Sequence, residues 1–275
     1  MNLMYLAIDI GGTKTLLACF DERGQVVKTQ KFSTPPDYKE FMTELKKNYL
    51  ALGIETPSNS VVAVPGRIDR VNGEALGYGN LLWKPSPIRQ DLETTLGFPV
   101  SIENDAKLAG LSEAKLIINE FKKVLYITIS TGIGNALIIN GVIDPYLSNS
   151  EGGQILVQDG GQLKQWEDVA SGRAIVEKYG KTASELDDPQ AWREISDKLA
   201  IGIFDLITVI QPEVIVFGGG VGSHFNKFQK LLTDRLNELA NDLTPIPPLR
   251  QAKRAEMAVI YGCYDLIEQQ YGQTA

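Results

Sequence analysis

Twice in this chain a short apolar strand runs into a glycine-rich turn and comes back as a second strand, and this duplication constrains the fold more than any other feature. The first copy is Tyr5 to Ile10, the turn Gly11-Gly12, and a return strand Thr15 to Phe20. A third strand, Gln25 to Phe32, follows the turn Asp21-Glu22-Arg23-Gly24, so the chain opens as a meander of three strands. A dinucleotide-binding sheet of the Rossmann type does not begin that way. The second copy is Val124 to Ser130 and Asn135 to Asn140, bracketing Thr131-Gly132-Ile133-Gly134.

Alternating helices and strands follow each copy. Phe41, Leu45, Tyr49 and Leu52 recur at helical spacing after Asp37 and stop at Gly53. Val61 to Val64 is a buried strand closed by Pro65-Gly66, and Pro99 to Glu103 leads into Asn104-Asp105 and a helix through about Ile118. Residues 67–98 are mixed, with turn chemistry at Asn72-Gly73. Later, Asp188-Pro189 starts a helix that carries apolar residues to Ile210 and ends at Pro212. Val214 to Phe217 ends in Gly218-Gly219-Gly220, and a last helix lies near Ala255 to Gln270. The pattern predicts two related α/β lobes with a cleft between them, spanning 1–108 with 254–275, and 109–253. The stretch Thr244-Pro245-Ile246-Pro247-Pro248 reads as the link back to the first lobe.

With 275 residues, 43% hydrophobic and 22% charged, the chain can bury a sizeable core. Its net charge of -7 speaks against nucleic acid or an anionic membrane as a main partner, since both reward a basic face. Cys19 and Cys263 stand far apart and suggest neither a disulfide framework nor a zinc site. Met1 to Ile8 lacks a basic lead and ends at Asp9, so it reads as a strand and not a signal peptide. A cytoplasmic location is expected.

Glycine-rich turns expose successive backbone N–H groups to a close ligand, which suits phosphate. Gly11-Gly12-Thr13-Lys14 lacks the spacer of a Walker A loop, and Gly132-x-Gly134 lies in a hairpin instead of opening a helix. What informs is the combination. Asp9-Ile10-Gly11-Gly12-Thr13-Lys14, Asn80-Leu81-Leu82-Trp83, Asn104-Asp105-Ala106 and Glu151-Gly152-Gly153-Gln154 occur in order, and Glu167 stands four residues before Ser171-Gly172. Together they resemble the ROK family (repressors, open reading frames and kinases), in particular its glucokinase-type members, over residues 5 to about 265.

That resemblance implies the two-lobed actin-like (ribonuclease H-like) ATPase fold and transfer of a phosphoryl group from ATP, with Mg²⁺, to a hexose hydroxyl. It implies Asp105 as general base, although read locally Asn104-Asp105 is a helix cap. Asp9 would hold Mg²⁺ through water. Gly11, Gly12, Thr13, Thr131 and Gly132 would contact phosphate, with Gly219 and Gly220 as the nucleotide-side wall. Asn80, Asn104, Asp105, Glu151, Gln154 and Glu167 would read the sugar, whose arc of hydroxyls suits amides and carboxylates. Lys14 reads as a solvated lysine and Trp83 as lobe packing. A homodimer is also implied.

Two departures matter. Gln154 stands where the family usually has His, which leaves the preferred sugar open. Many relatives carry a Cys-rich zinc motif just before the Glu-to-Ser-Gly segment. Here Asp159 to Asp168 reads DGGQLKQWED, without Cys or His, so no structural zinc is expected. Glucokinases without zinc include polyphosphate users, which keeps that donor as an alternative to ATP. A sugar-binding protein that keeps the fold without catalysis is a further one. The repressor branch, which places a helix-turn-helix before the first strand, and an actin- or chaperone-type ATPase fit less well. His224, the single histidine, reads as a surface residue at a helix start.

Overall fold

The computed structural model describes residues 3–271. The first two residues of the N-terminal apolar run and the last four of segment 254–275 lie outside the described residues. By its contacts the chain forms two compact units, Met1–Ser112 with Met257–Ala275, and Glu113–Glu256.

The first unit opens with β1 (Met4–Ile10), β2 (Lys14–Asp21) and β3 (Val26–Ser33), an antiparallel meander. Helix α1 (Tyr38–Ala51) is capped by the Asp37 side chain, which accepts the N–H groups of Lys39 and Glu40. Strand β4 (Asn59–Val64) pairs parallel to β1. Residues 67–98 contain the hairpin β5 (Arg67–Asp69) and β6 (Glu74–Gly77), then α2 (Ile88–Leu96). Strand β7 (Ser101–Asn104) pairs parallel to β4 and runs directly into α3 (Asp105–Lys115). The helix expected to reach Ile118 ends three residues earlier, and turns follow it.

The second unit repeats the scheme. Strands β8 (Lys123–Ile129), β9 (Ile133–Ile139) and β10 (Val142–Ile143) form the meander. A hairpin, β11 (Leu156–Asp159) with β12 (Gln162–Gln165), precedes α4 (Trp166–Ala170), α5 (Gly172–Tyr179) and the long α6 (Pro189–Ile210). Strand β13 (Val214–Gly218) pairs parallel to β8, then come α7 (Gly219–Gly222) and α8 (Phe225–Leu239). The proline-rich stretch does not lead out of this unit. It delivers β14 (Leu249–Gln251), which pairs parallel to β13 because Pro248 still accepts the N–H of Ile215. The chain returns to the first unit only with α9 (Ala258–Tyr271). The two sheets run β3-β2-β1-β4-β7 and β10-β9-β8-β13-β14, so strand order and direction are the same in both.

Strand alternation sorts the first core onto two faces. Leu6, Ile8, Ile10, Val62 and Val64 face a cluster with Phe41, Leu45, Leu92 and Trp83. Small Ala7, Ala18 and Ala63 face Leu108, Ile260, Cys263 and Ile267 on the other. Trp83 is packing, as expected: it is buried, and its indole N–H donates to the Pro36 carbonyl at 3.1 Å. In the second unit one cluster joins Leu125, Ile127 and Phe217 to Trp166, Leu199 and Phe228. Among the described residues no helix is long and apolar enough to cross a membrane.

Candidate active site

In both sheets the polar residues singled out by sequence gather where the parallel strands end, the edge at which open α/β sheets bind ligands. In the first unit Asp9, Ala63 and Glu103 lie in register across β1, β4 and β7. Just beyond them are the turn at Gly11, the loop at Gly66 and the Asn104-Asp105 step into α3. The Gly11 turn is tightly made. Its N–H donates to the Lys14 carbonyl at 3.1 Å, and a Cβ on Gly11 would lie 2.7 Å from that oxygen. Thr34 ties the turn back, its hydroxyl donating to the Gly11 carbonyl at 2.8 Å and its N–H to the Thr13 carbonyl at 3.0 Å. Gly12, Thr13 and Lys14 are exposed, and Asn80, also exposed, lies against Gly12.

Asp9 is half-buried, and Asp105 occupies the first position of α3. Burial pushes the Asp9 carboxyl up to about 7, the negative charge of Asp105 adds to the rise, and Lys31 opposes it. The two carboxylates therefore feel one another. A half-buried carboxylate such as Asp9 is a hard oxygen donor of the kind a water-bridged magnesium ion accepts. Asn104 is buried and is the true cap of α3: its Oδ1 accepts the Lys107 N–H at 3.1 Å, and its Nδ2 donates to the Gly66 carbonyl at 2.8 Å. Asp105 instead accepts the N–H of Ala106 at 2.8 Å.

In the second unit the Ser130-Thr131-Gly132 turn is gripped from behind by the start of α5. The N–H groups of Gly172 and Arg173 donate to the carbonyls of Ser130 and Thr131 at 2.7 and 3.3 Å. Glu167 stands against the same turn. One of its oxygens accepts the Ile133 N–H at 3.2 Å, and the other accepts Gln154 Nε2 at 2.7 Å. A Cβ on Gly132 would fall 2.6 Å from Glu167 Oε2, and one on Gly153 would fall 3.0 Å from it. The two glycines thus make room for a carboxylate as well as for any phosphate. Glu151 and Gln154 are exposed at either end of the short 3₁₀ turn 152–154, whose start is held by buried Asn135 accepting the Gly152 N–H at 2.7 Å.

Gly219 has φ +80°, and a Cβ there would strike the Ile129 carbonyl at 2.5 Å, so this position demands glycine. Gly220 is exposed and opens onto a cavity of about 700 Å³ that lies wholly within the second unit. Thr131 and Gly220 line it, and Val176, Ala183 and Val221 give it an apolar wall. Sequence reasoning missed this wall. Ser171-Gly172 marked where α5 begins, and Gly172 and Val176, four residues apart, share the face it presents to the cavity. His224 stands at a helix start, directly before α8, as expected, but it is half-buried and lines the cavity. Arg173 lines it too, but pairs with Asp168 at 2.9 Å and Glu177 at 3.9 Å.

The structure of a ROK family glucokinase from Streptomyces griseus, in complex with glucose and AMPPNP, matches this chain with a TM-score of 0.80. It does so at 23% identity, covering 98% of this chain and all of the other. The fold is therefore the actin-like fold of the sugar kinases. The ROK family model itself matches residues 5–270, and the chain belongs to that family. Among curated proteins it is 27% identical to an N-acetyl-D-glucosamine kinase of Vibrio cholerae, covering 94% of this chain and 98% of that one. It is 26% identical to a glucokinase of Streptomyces coelicolor, covering 78% and 81%. The enzyme is a sugar kinase.

Proposed function

We propose that this chain transfers the γ-phosphoryl group of Mg-ATP to a hydroxyl of a glucose-type hexose, with its two units serving as the two lobes of the kinase. The observation that carries the choice of donor is the cavity beside Thr131 and Gly220. An apolar wall desolvates a nucleoside base, whereas a polyphosphate chain needs a track of unpaired cations. Arg173, the one Lys or Arg lining this cavity, already serves two carboxylates.

In this reading the second unit holds the nucleotide, with Gly219 and Gly220 as its wall and Thr131 and Gly132 at the phosphates. Gly11, Gly12 and Thr13 meet the terminal phosphate from the first unit. Asn80, Asn104 and Asp105 in one unit and Glu151, Gln154 and Glu167 in the other bind the sugar hydroxyls. Asp105 accepts the proton of the attacking hydroxyl. Asp9 would hold Mg²⁺ through water, and the ion supplies charge neutralisation on the transferred group. The Gly11 turn is tied by Thr34 and the Thr131 turn by the start of α5 before the substrates arrive, so positioning and electrostatics carry the rate.

The test is sugar-phosphate formation across glucose, mannose, fructose and N-acetylated hexosamines, with Mg-ATP or polyphosphate as donor and ADP release read alongside for ATP. A signal that needs both ATP and a sugar, and vanishes in Asp105→Asn, supports the reading. Turnover with polyphosphate alone overturns the choice of donor, and silence across the panel overturns the activity.

A further inference from the structure

Beside Asn104 and Asp105 lies an ion pair, a buried carboxylate held by a half-buried arginine, that neither the resemblance nor the reaction assigns. Glu103, the residue before Asn104 at the end of β7, is only 7% exposed. Arg70 takes hold of both its oxygens, Nε donating to Oε2 at 2.8 Å and Nη2 donating to Oε1. The Asn104 N–H donates to the same Oε1 at 2.6 Å. Arg70 stands on a turn that is itself fixed. The Asp69 carboxylate accepts the N–H groups of Val71 and Asn72, both at 3.0 Å, and Arg89 on α2 reaches the carbonyls of Arg70 and Val71. The loop before β5 also takes part, since the Gly66 carbonyl receives the Asn104 amide.

The side chain of Asn104 is thus bound directly to the Gly66 carbonyl, its backbone N–H is tied to Arg70 through the Glu103 carboxylate, and Asp105 follows with no residue between. An ion pair with a buried carboxylate is a poor stabiliser compared with apolar residues of similar size, but its forked hydrogen bonds fix one geometry. Ile102, the residue before Glu103 and on the opposite face of β7, is apolar and packs into the core cluster. The charge pair appears where the strand turns into the helix that bears the base.

We infer that Arg70 and Glu103 are positioning residues for phosphoryl transfer, holding Asn104 and Asp105 in the geometry the sugar hydroxyl meets. Asp105 lies in the first unit and the nucleotide cavity in the second, so loss of the pair should lower turnover without touching nucleotide affinity. The inference rests on the reading of Asp105 as the base.

The experiment uses the full chain, with kcat at saturating glucose and Mg-ATP, AMPPNP affinity and thermal midpoint measured together. Arg70→Ala is expected to lose roughly 10- to 100-fold in kcat while its AMPPNP Kd stays within about two-fold of the parent. Arg70→Lys, which keeps charge but not the fork, should fall between. Millimolar guanidinium, which can refill the space beside Glu103, should restore part of the kcat of Arg70→Ala and none of that of Asp105→Asn. Parent-level kcat in Arg70→Ala overturns the inference, as does a loss that guanidinium leaves unchanged and that follows the fall in thermal midpoint. If Arg70→Ala fails to fold, Glu103→Gln, nearly unchanged in volume, carries the same expectation of lower kcat with AMPPNP affinity kept. Turnover retained in Asp105→Asn removes the base assignment whatever Arg70 does. An inactive Asp105→Asn beside a fully active Arg70→Ala removes only this inference.

Discussion

Asp9 offers the clearest pH signature at the scale of single residues. Its carboxyl titrates at about 7 in the folded chain against 3.8 for an ordinary aspartate. Between those values the folded chain holds a proton that the unfolded chain has released. The unfolded state then binds fewer protons, so stability falls as pH rises from about 4 to 7 and levels off above. At about 1.4 kcal/mol per pH unit the effect has a ceiling near 4 kcal/mol. Denaturant titrations of metal-free protein across that range should show the slope, and Asp9→Asn should flatten it. A slope that persists in the variant removes Asp9 as its source. Asp105→Asn should retain hexose binding by calorimetry while turnover falls by about 10²-fold or more. Gly132→Ala probes the carboxylate lodged beside the turn. Its methyl would meet Glu167 Oε2 at 2.6 Å, so Glu167 must give up the Ile133 N–H or move. Glucose KM should rise by roughly tenfold with the fold intact by circular dichroism; an unchanged KM would separate Glu167 from the sugar.

Among the elements, α9 is seated by the absence of side chains. A Cβ on Gly262 would lie 2.0 Å from the Leu108 carbonyl of α3, and small Ala7, Ala18 and Ala63 lie on the sheet face packed with both helices. Gly262→Ala has no flexible neighbour to displace, only backbone, and should cost about 2–3 kcal/mol or more by chemical denaturation. A cost under 0.5 kcal/mol would mean the helices part easily. The hairpin of β11 and β12 spans the segment where many relatives carry their zinc motif. Its own backbone ladder and the Lys164–Asp159 pair at 2.7 Å hold it. A zinc chelator should therefore leave the thermal midpoint unmoved; a fall on chelation would reveal a metal role. Sequence captured helices whose start signals were followed by long apolar periodicity, as with Asp37 and Asp188-Pro189. It missed β5, β6 and α2, and also β11, β12, α4, α5 and β14, because strands of three or four residues and helices of five to nine give little periodicity to read.

Over the whole molecule, one sheet topology used twice accounts for the division of labour. Each copy brings its glycine turn to the end of parallel strands, one beside carboxylates and the other beside a cavity. AMPPNP added alone should slow amide exchange around Gly132, Val176 and Gly220, and polyphosphate should not. Equal protection by both would undo the argument from the apolar wall.

By itself the sequence determined the two strand–turn–strand copies, most helix starts and the order of the polar motifs, because each depends on residues a few positions apart and on backbone geometry. Only the tertiary structure decided that Glu167 shares space with Gly132, that Arg70 grips Glu103, and that His224 belongs to a cavity. Glu167 is held beside that turn by the N–H of Ile133, 34 positions away, and Arg70 grips Glu103, 33 positions away, through two side-chain hydrogen bonds. Such contacts leave no periodicity in the chain. They exist only once the sheets and helices have packed and have fixed which buried charges must find a partner.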